Sequence, residues 1–89
     1  MDFEYDRQKS EANKAKHGID FDEAQALWQD PALIEIPARA MDEPRGLAIA
    51  KWAGHHWSAI FTRRSAGIRL ISVRRARVEE VKVYESEAI

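Results

Sequence analysis

Three groups of residues in this 89-residue chain have types and spacings suited to chemistry on a phosphate. Lys9, Asn13 and Lys16 or His17 recur every three or four positions, which puts them on one face of a helix. A lysine, an amide and an imidazole placed so can hold a phosphate and exchange a proton near neutral pH. The same spacing also suits Asn13 and His17 to tether the helix end beside Gly18. The second group is a basic block. Residues 45–78 carry eight cationic side chains (Arg45, Lys51, Arg63, Arg64, Arg69, Arg74, Arg75 and Arg77) and neither Asp nor Glu. Arginine dominates it, and a planar guanidinium fork grips phosphate oxygens bidentately. The third group is the run Arg69-Leu70-Ile71-Ser72-Val73-Arg74-Arg75. Strand alternation sets Arg69 with Ile71 and Val73 on one face, and Leu70, Ser72 and Arg74 on the other. An arginine in an otherwise apolar strand requires a carboxylate or a phosphate beside it. Arg63-Arg64 close the preceding strand within reach of the same cluster, which could stabilise the extra charge of a phosphorane-like transition state without a metal.

The net charge of −1 hides this segregation: the balance is −6 over residues 1–44, +8 over 45–78 and −3 from Glu79 onward. A polyanion such as RNA or DNA is the matching partner class. Pairing within the chain, to Glu35, Glu43 or Glu79, is the competing use of these arginines. The absence of cysteine excludes a disulfide scaffold, a thiolate metal site and a cysteine nucleophile. His55-His56, beside Gly54 in an expected tight turn, point to opposite sides and lack a third ligand, so no metal site is expected. No glycine-rich phosphate loop or nucleophile elbow is present, and no cofactor is implied. The apolar runs are too short to span a bilayer and the start lacks a basic signal sequence, so a cytoplasmic protein is expected.

The elements that must position these groups follow from capping and periodicity, within one domain spanning 1–89. Phe3-Glu4-Tyr5 suits a short strand, and Asp6 caps a helix over 7–17 whose apolar stripe is only Ala12 and Ala15, ended by Gly18. Asp20 and Glu23 form a capping box, with Ile19 and Ala24 as a staple, for a helix that buries Phe21, Ala24, Leu27 and Trp28 and stops at Asp30-Pro31. The period then changes to two over Leu33–Ile36, Gly46–Trp52, Trp57–Thr62 and Ile68–Val73. The last three of these form an antiparallel meander, with Ile68–Val73 central. A final helix from about Arg75 to Ser86 carries Val78, Val81 and Tyr84 on its apolar stripe. The expected class is α+β, in the order β-α-α-β-β-β-β-α, with helices packed on an antiparallel sheet.

Phe3-Glu4-Tyr5-Asp6, Lys9, Asn13, Lys16-His17-Gly18 and Phe21-Asp22-Glu23-Ala24 resemble the opening pattern of BrnT-type toxins. Glu43, Arg45, Arg64, Ile68-Arg69-Leu70-Ile71-Ser72, Arg74-Arg75-Ala76, Glu80 and Tyr84 follow the second half of that pattern. The chain departs from it at Ile49-Ala50-Lys51, where a glycine is usual, and at Val73, where alanine is common. The resemblance implies the toxin of a type II toxin–antitoxin pair with a RelE-like fold, a metal-independent ribonuclease that blocks translation and is neutralised by a BrnA-like antitoxin that also binds operator DNA. It implies cleavage by attack of the RNA 2′-hydroxyl on the adjacent phosphate. Arg64 and Arg74 would hold the phosphate, Arg45 and Lys16 add charge, and His17 or Glu43 transfer the proton. Lys9, Asn13, Lys51, Arg63, Arg69 and Arg75 would contact RNA. The alternative from the residues alone is a non-catalytic nucleic-acid-binding or protein-interaction module.

Overall fold

The computed structural model describes residues 2–38 and 44–87. Its elements are β1 (Asp2–Glu4), α1 (Arg7–His17), α2 (Phe21–Ala24), a 3-10 turn (Gln25–Gln29), β2 (Ile34–Ala38), β3 (Arg45–Trp52), β4 (His55–Arg64), β5 (Gly67–Arg75) and α3 (Val78–Glu87). Among the described residues the sheet has five strands in the order β1-β5-β4-β3-β2, so β4 is the middle strand and β5 lies one place toward the edge. The α+β class and the antiparallel meander β3-β4-β5 are as expected. The sheet is mixed rather than wholly antiparallel, because β1 runs parallel to β5. That direction carries the chain from Glu4, opposite Arg69, onward to α1, whose Asn13 meets Val73 farther along β5.

Local chemistry accounts for the helix boundaries. Asp6 accepts from the Lys9 N–H, and Gly18 closes α1 at φ 83°, where an L side chain would be strained. Asp20 and Glu23 form the reciprocal capping box. The helix it opens is one turn of α followed by the 3-10 turn, and it buries Phe21, Ala24 and Leu27 while Trp28 is half-buried. In α1 the inward residues are Ser10 and Asn13, not Ala12 and Ala15, which are exposed. Ser10 Oγ accepts from the Phe21 N–H at 2.9 Å, joining α1 to α2.

The two sheet faces differ. On one, α1, α2 and the 3-10 turn cover Ala48, Ala50, Trp57, Ala59, Phe61, Ile68, Leu70 and Val73. Gly46 is needed there, since a Cβ would meet the Phe61 ring at 2.5 Å. On the other, α3 covers only the part around Leu47, Ile49 and Ile60, with Tyr84 as its buried anchor. Val78, expected on the apolar stripe of α3, is 69% exposed. The Tyr84 hydroxyl donates to Asp30 Oδ2 at 2.8 Å, and burial together with that bond pushes its pKa up to about 12. Among the described residues no helix is long and apolar enough to cross a membrane.

Candidate functional site

The uncovered part of the second face is where the arginines gather. A bulge in β5 decides which ones: Ile60 pairs with Ser72 but Phe61 pairs with Leu70, so Ile71 is the extra residue. Simple alternation is therefore broken, and Val73 joins Ile68 and Leu70 in the core beneath the helices. Arg69 and Arg74, expected on opposite faces, both lie on the open one.

Across this face runs a row set by register. Ala38 pairs with Arg45, Thr62 follows beside it because Gly46 pairs with Phe61, Thr62 pairs with Arg69, and Arg69 pairs with Glu4. Neighbours in such a row have Cβ atoms about 5 Å apart. Arg64 stands two residues beyond Thr62, on the same face. Glu4 Oε1 lies 3.2 Å from Arg64 Nε and 3.6 Å from Arg69 Nη1, so one carboxylate is shared by two guanidinium groups. Thr62 is 3% exposed, and its Oγ1 has no hydrogen-bond partner among the described residues. At the same end of the sheet a cavity of about 450 Å³ opens mainly on the other face, among Glu35, Pro37, Gly46, Phe61 and Arg63, with Pro44, Arg45 and Thr62 also in its lining.

Arg74 occupies a separate position. Its guanidinium donates through Nη1 to Glu80 Oε1 at 2.8 Å and through Nη2 to Oε2 at 2.9 Å. The Ser58 hydroxyl and the Arg77 N–H donate to the same Oε1. The Arg74 bond, aided by the other donors, outweighs burial and holds the Glu80 carboxyl down at about 2, while Arg74 is raised. The pair clamps the start of α3 to β5. Arg74 pairs with Ser58 and Arg64 pairs with Gly67, so six residues of β4 separate the two positions. At ~3.3 Å per residue that is about 20 Å, so Arg64 and Arg74, expected to share one phosphate, stand at opposite ends of the face.

The remaining expected residues are spread around the sheet. Arg63 donates to both oxygens of Glu35, one of the internal pairings anticipated; Arg74 takes Glu80 rather than Glu79. Asn13, expected among the RNA contacts, is buried: its Nδ2 donates to Ile19 O and Val73 O, and its Oδ1 accepts from the Val73 N–H. Lys9 and Lys16 are exposed and His17 is half-buried on α1, which lies on the covered side of the sheet, away from the row. Arg75 stacks over the Trp57 ring on that side, at 5.6 Å. Lys51 is exposed at the end of β3, where its N–H donates to Asp30. His55 and His56 are not turn residues: Ala53 and Gly54 make the turn, both at positive φ, and the histidines pair with Trp52 and Lys51. Glu43 lies outside the described residues. Among the described residues no three His, Asp or Glu side chains come together as a metal site.

Thr62 and Glu4 were not among the candidate residues. Nothing in the sequence marks a threonine as unpartnered, whereas Glu4 was visible as the charged member of a short first strand whose neighbour could not be read. The arrangement can neutralise an anion between Arg45, Arg64 and Arg69. A family model described as a ribonuclease toxin, BrnT, of type II toxin–antitoxin system matches residues 5–80. No curated protein matches the chain.

Proposed function

Since the chain belongs to the BrnT family of ribonuclease toxins of type II toxin–antitoxin systems, we propose that it is a metal-independent endoribonuclease whose RNA backbone crosses the open face at Arg45, Arg64 and Arg69. It acts in the cytoplasm, arrests translation, and is neutralised by a BrnA-like antitoxin. We assign its topology to the RelE-like class, on the element order and the helices laid against one sheet face.

The observation that carries the reading is the convergence of three arginines on a sheet face that the helices leave uncovered. Cleavage needs a phosphate held in line with the 2′-hydroxyl, charge to stabilise the transition state, and a proton acceptor. The 2′-oxygen bonds to phosphorus as its proton departs, the bond to the 5′-oxygen breaks, and that oxygen takes up a proton. Guanidinium groups keep their protons at neutral pH, so the arginines stabilise the non-bridging oxygens rather than act as base. Glu4, already against Arg64 and Arg69, is the carboxylate placed to accept the 2′-hydroxyl proton. His17 is on the far side of the sheet from this row. Arg74 supports the site through α3 rather than by touching the phosphate.

An acidic antitoxin segment would be drawn to the same positive row, so neutralisation would follow from occupation. The test is induction of the chain alone beside its Arg45→Ala/Arg64→Ala variant. The reading requires growth arrest by the parent only, with new RNA fragments ending in 2′,3′-cyclic phosphate. Fragments ending in 3′-hydroxyl, or equal arrest by a folded variant, would refute it.

A further inference from the structure

The Thr62 hydroxyl is the one feature of the row that the fold itself does not explain. A buried hydroxyl without a partner destabilises a protein, because it loses its bonds to water and gains none. Valine has nearly the same shape, suits a strand, and would remove that penalty. Yet the hydroxyl sits between Arg45 and Arg69, with Arg64 two residues along the same face. The three long arginine side chains rise from the face around a short one. An anion drawn down between the guanidinium groups therefore meets, at the floor, a neutral O–H with no other acceptor among the described residues.

We propose that Thr62 Oγ1 donates a hydrogen bond to a non-bridging oxygen of the RNA phosphodiester seated between Arg45 and Arg69, making Thr62 a phosphate-binding residue of the site; this rests on the ribonuclease reading above. The arginines supply charge from the sides, and the hydroxyl supplies direction from below. A donor fixed by burial orients the phosphate without reorganising, which is the property required of groups that stabilise developing charge.

The test compares Thr62→Val and Thr62→Ser with the parent full-length chain by three readouts. These are thermal unfolding, inorganic phosphate binding followed by NMR, and cleavage of an RNA oligonucleotide. The proposal expects Thr62→Val to unfold about 4 °C or more above the parent, to bind phosphate roughly tenfold more weakly, and to cleave on the order of 100-fold more slowly. Thr62→Ser should retain binding and cleavage. A Thr62→Val protein that binds phosphate and cleaves like the parent overturns the proposal. So does one that unfolds well below the parent while Thr62→Ser does not, since the hydroxyl would then be a bonded part of the fold. If the parent cleaves no RNA yet its phosphate affinity still depends on Thr62, the anion site stands and the ribonuclease reading fails.

Discussion

Two residues picked out by type in the sequence turn out to hold the fold. Asn13 acts as a substitute for a strand: β1 covers only residues 67–69 of β5, and beyond its end the Asn13 amide pairs with both the N–H and the C=O of Val73. Asn13→Ala leaves those groups and the Ile19 carbonyl without partners and should lower stability by about 3 kcal/mol in urea unfolding. The spacing of Asn13 was legible, but not its direction, because an amide inside a weakly apolar helix looks solvated until the tertiary partner is known. Glu80 is the second case. Its carboxyl titrates near 2 in the folded protein against 4.5 for the free group. A depressed folded value means the stabilisation is present above pH 4.5 and is lost as pH falls toward 2. Glu80→Gln should therefore be less stable than the parent by ~2 kcal/mol at pH 7, a figure discounted for partial solvent screening. Denaturation curves of the two proteins should converge only as the pH is lowered toward 2.

At the level of elements, most of the chain could be read directly. Capping at Asp6, Gly18 and Asp20 and the change of period after Asp30 place the helices and strands, because these signals act through neighbours in sequence. Two features escaped for the opposite reason. The bulge at Ile71 depends on how β5 meets β4, and it moves Val73 into the core and Arg74 onto the open face. The parallel pairing of β1 depends on a strand more than sixty positions away. The turn at Ala53-Gly54 was read one residue too long and β4 as starting two residues too late, since His55 looked like a turn residue and is the first of β4. Ala53 sits there at φ 53°, an unfavourable conformation for alanine. Ala53→Asn, which tolerates that region and completes an Asn-Gly turn, should raise stability by about 0.5–1 kcal/mol without altering RNA cleavage, as measured by thermal unfolding and a cleavage assay.

For the molecule as a whole, charge segregation becomes geometric: the basic segment supplies the three inner strands of the sheet, and the acidic first part supplies its two edge strands. Single-stranded RNA held on this row should bind with a log–log salt slope of about −0.7 per phosphate contact. Arg64→Ala should reduce the magnitude of that slope by about 0.7, whereas Arg75→Ala, on the covered side, should leave it unchanged when binding is titrated across salt concentrations. The same layout has a temporal side. Glu4 is synthesised well before Arg64 and Arg69, which it pairs with and which come at the end of β4 and in β5. Contacts so distant in sequence form late in folding. The shared ion pair is thus complete only after β5 has been synthesised, and a chain that stalls before β5 has Glu4 and Arg64 but lacks Arg69 and the strand that pairs with β1. A ribonuclease toxin built this way has no complete cation row until β5 has emerged and paired.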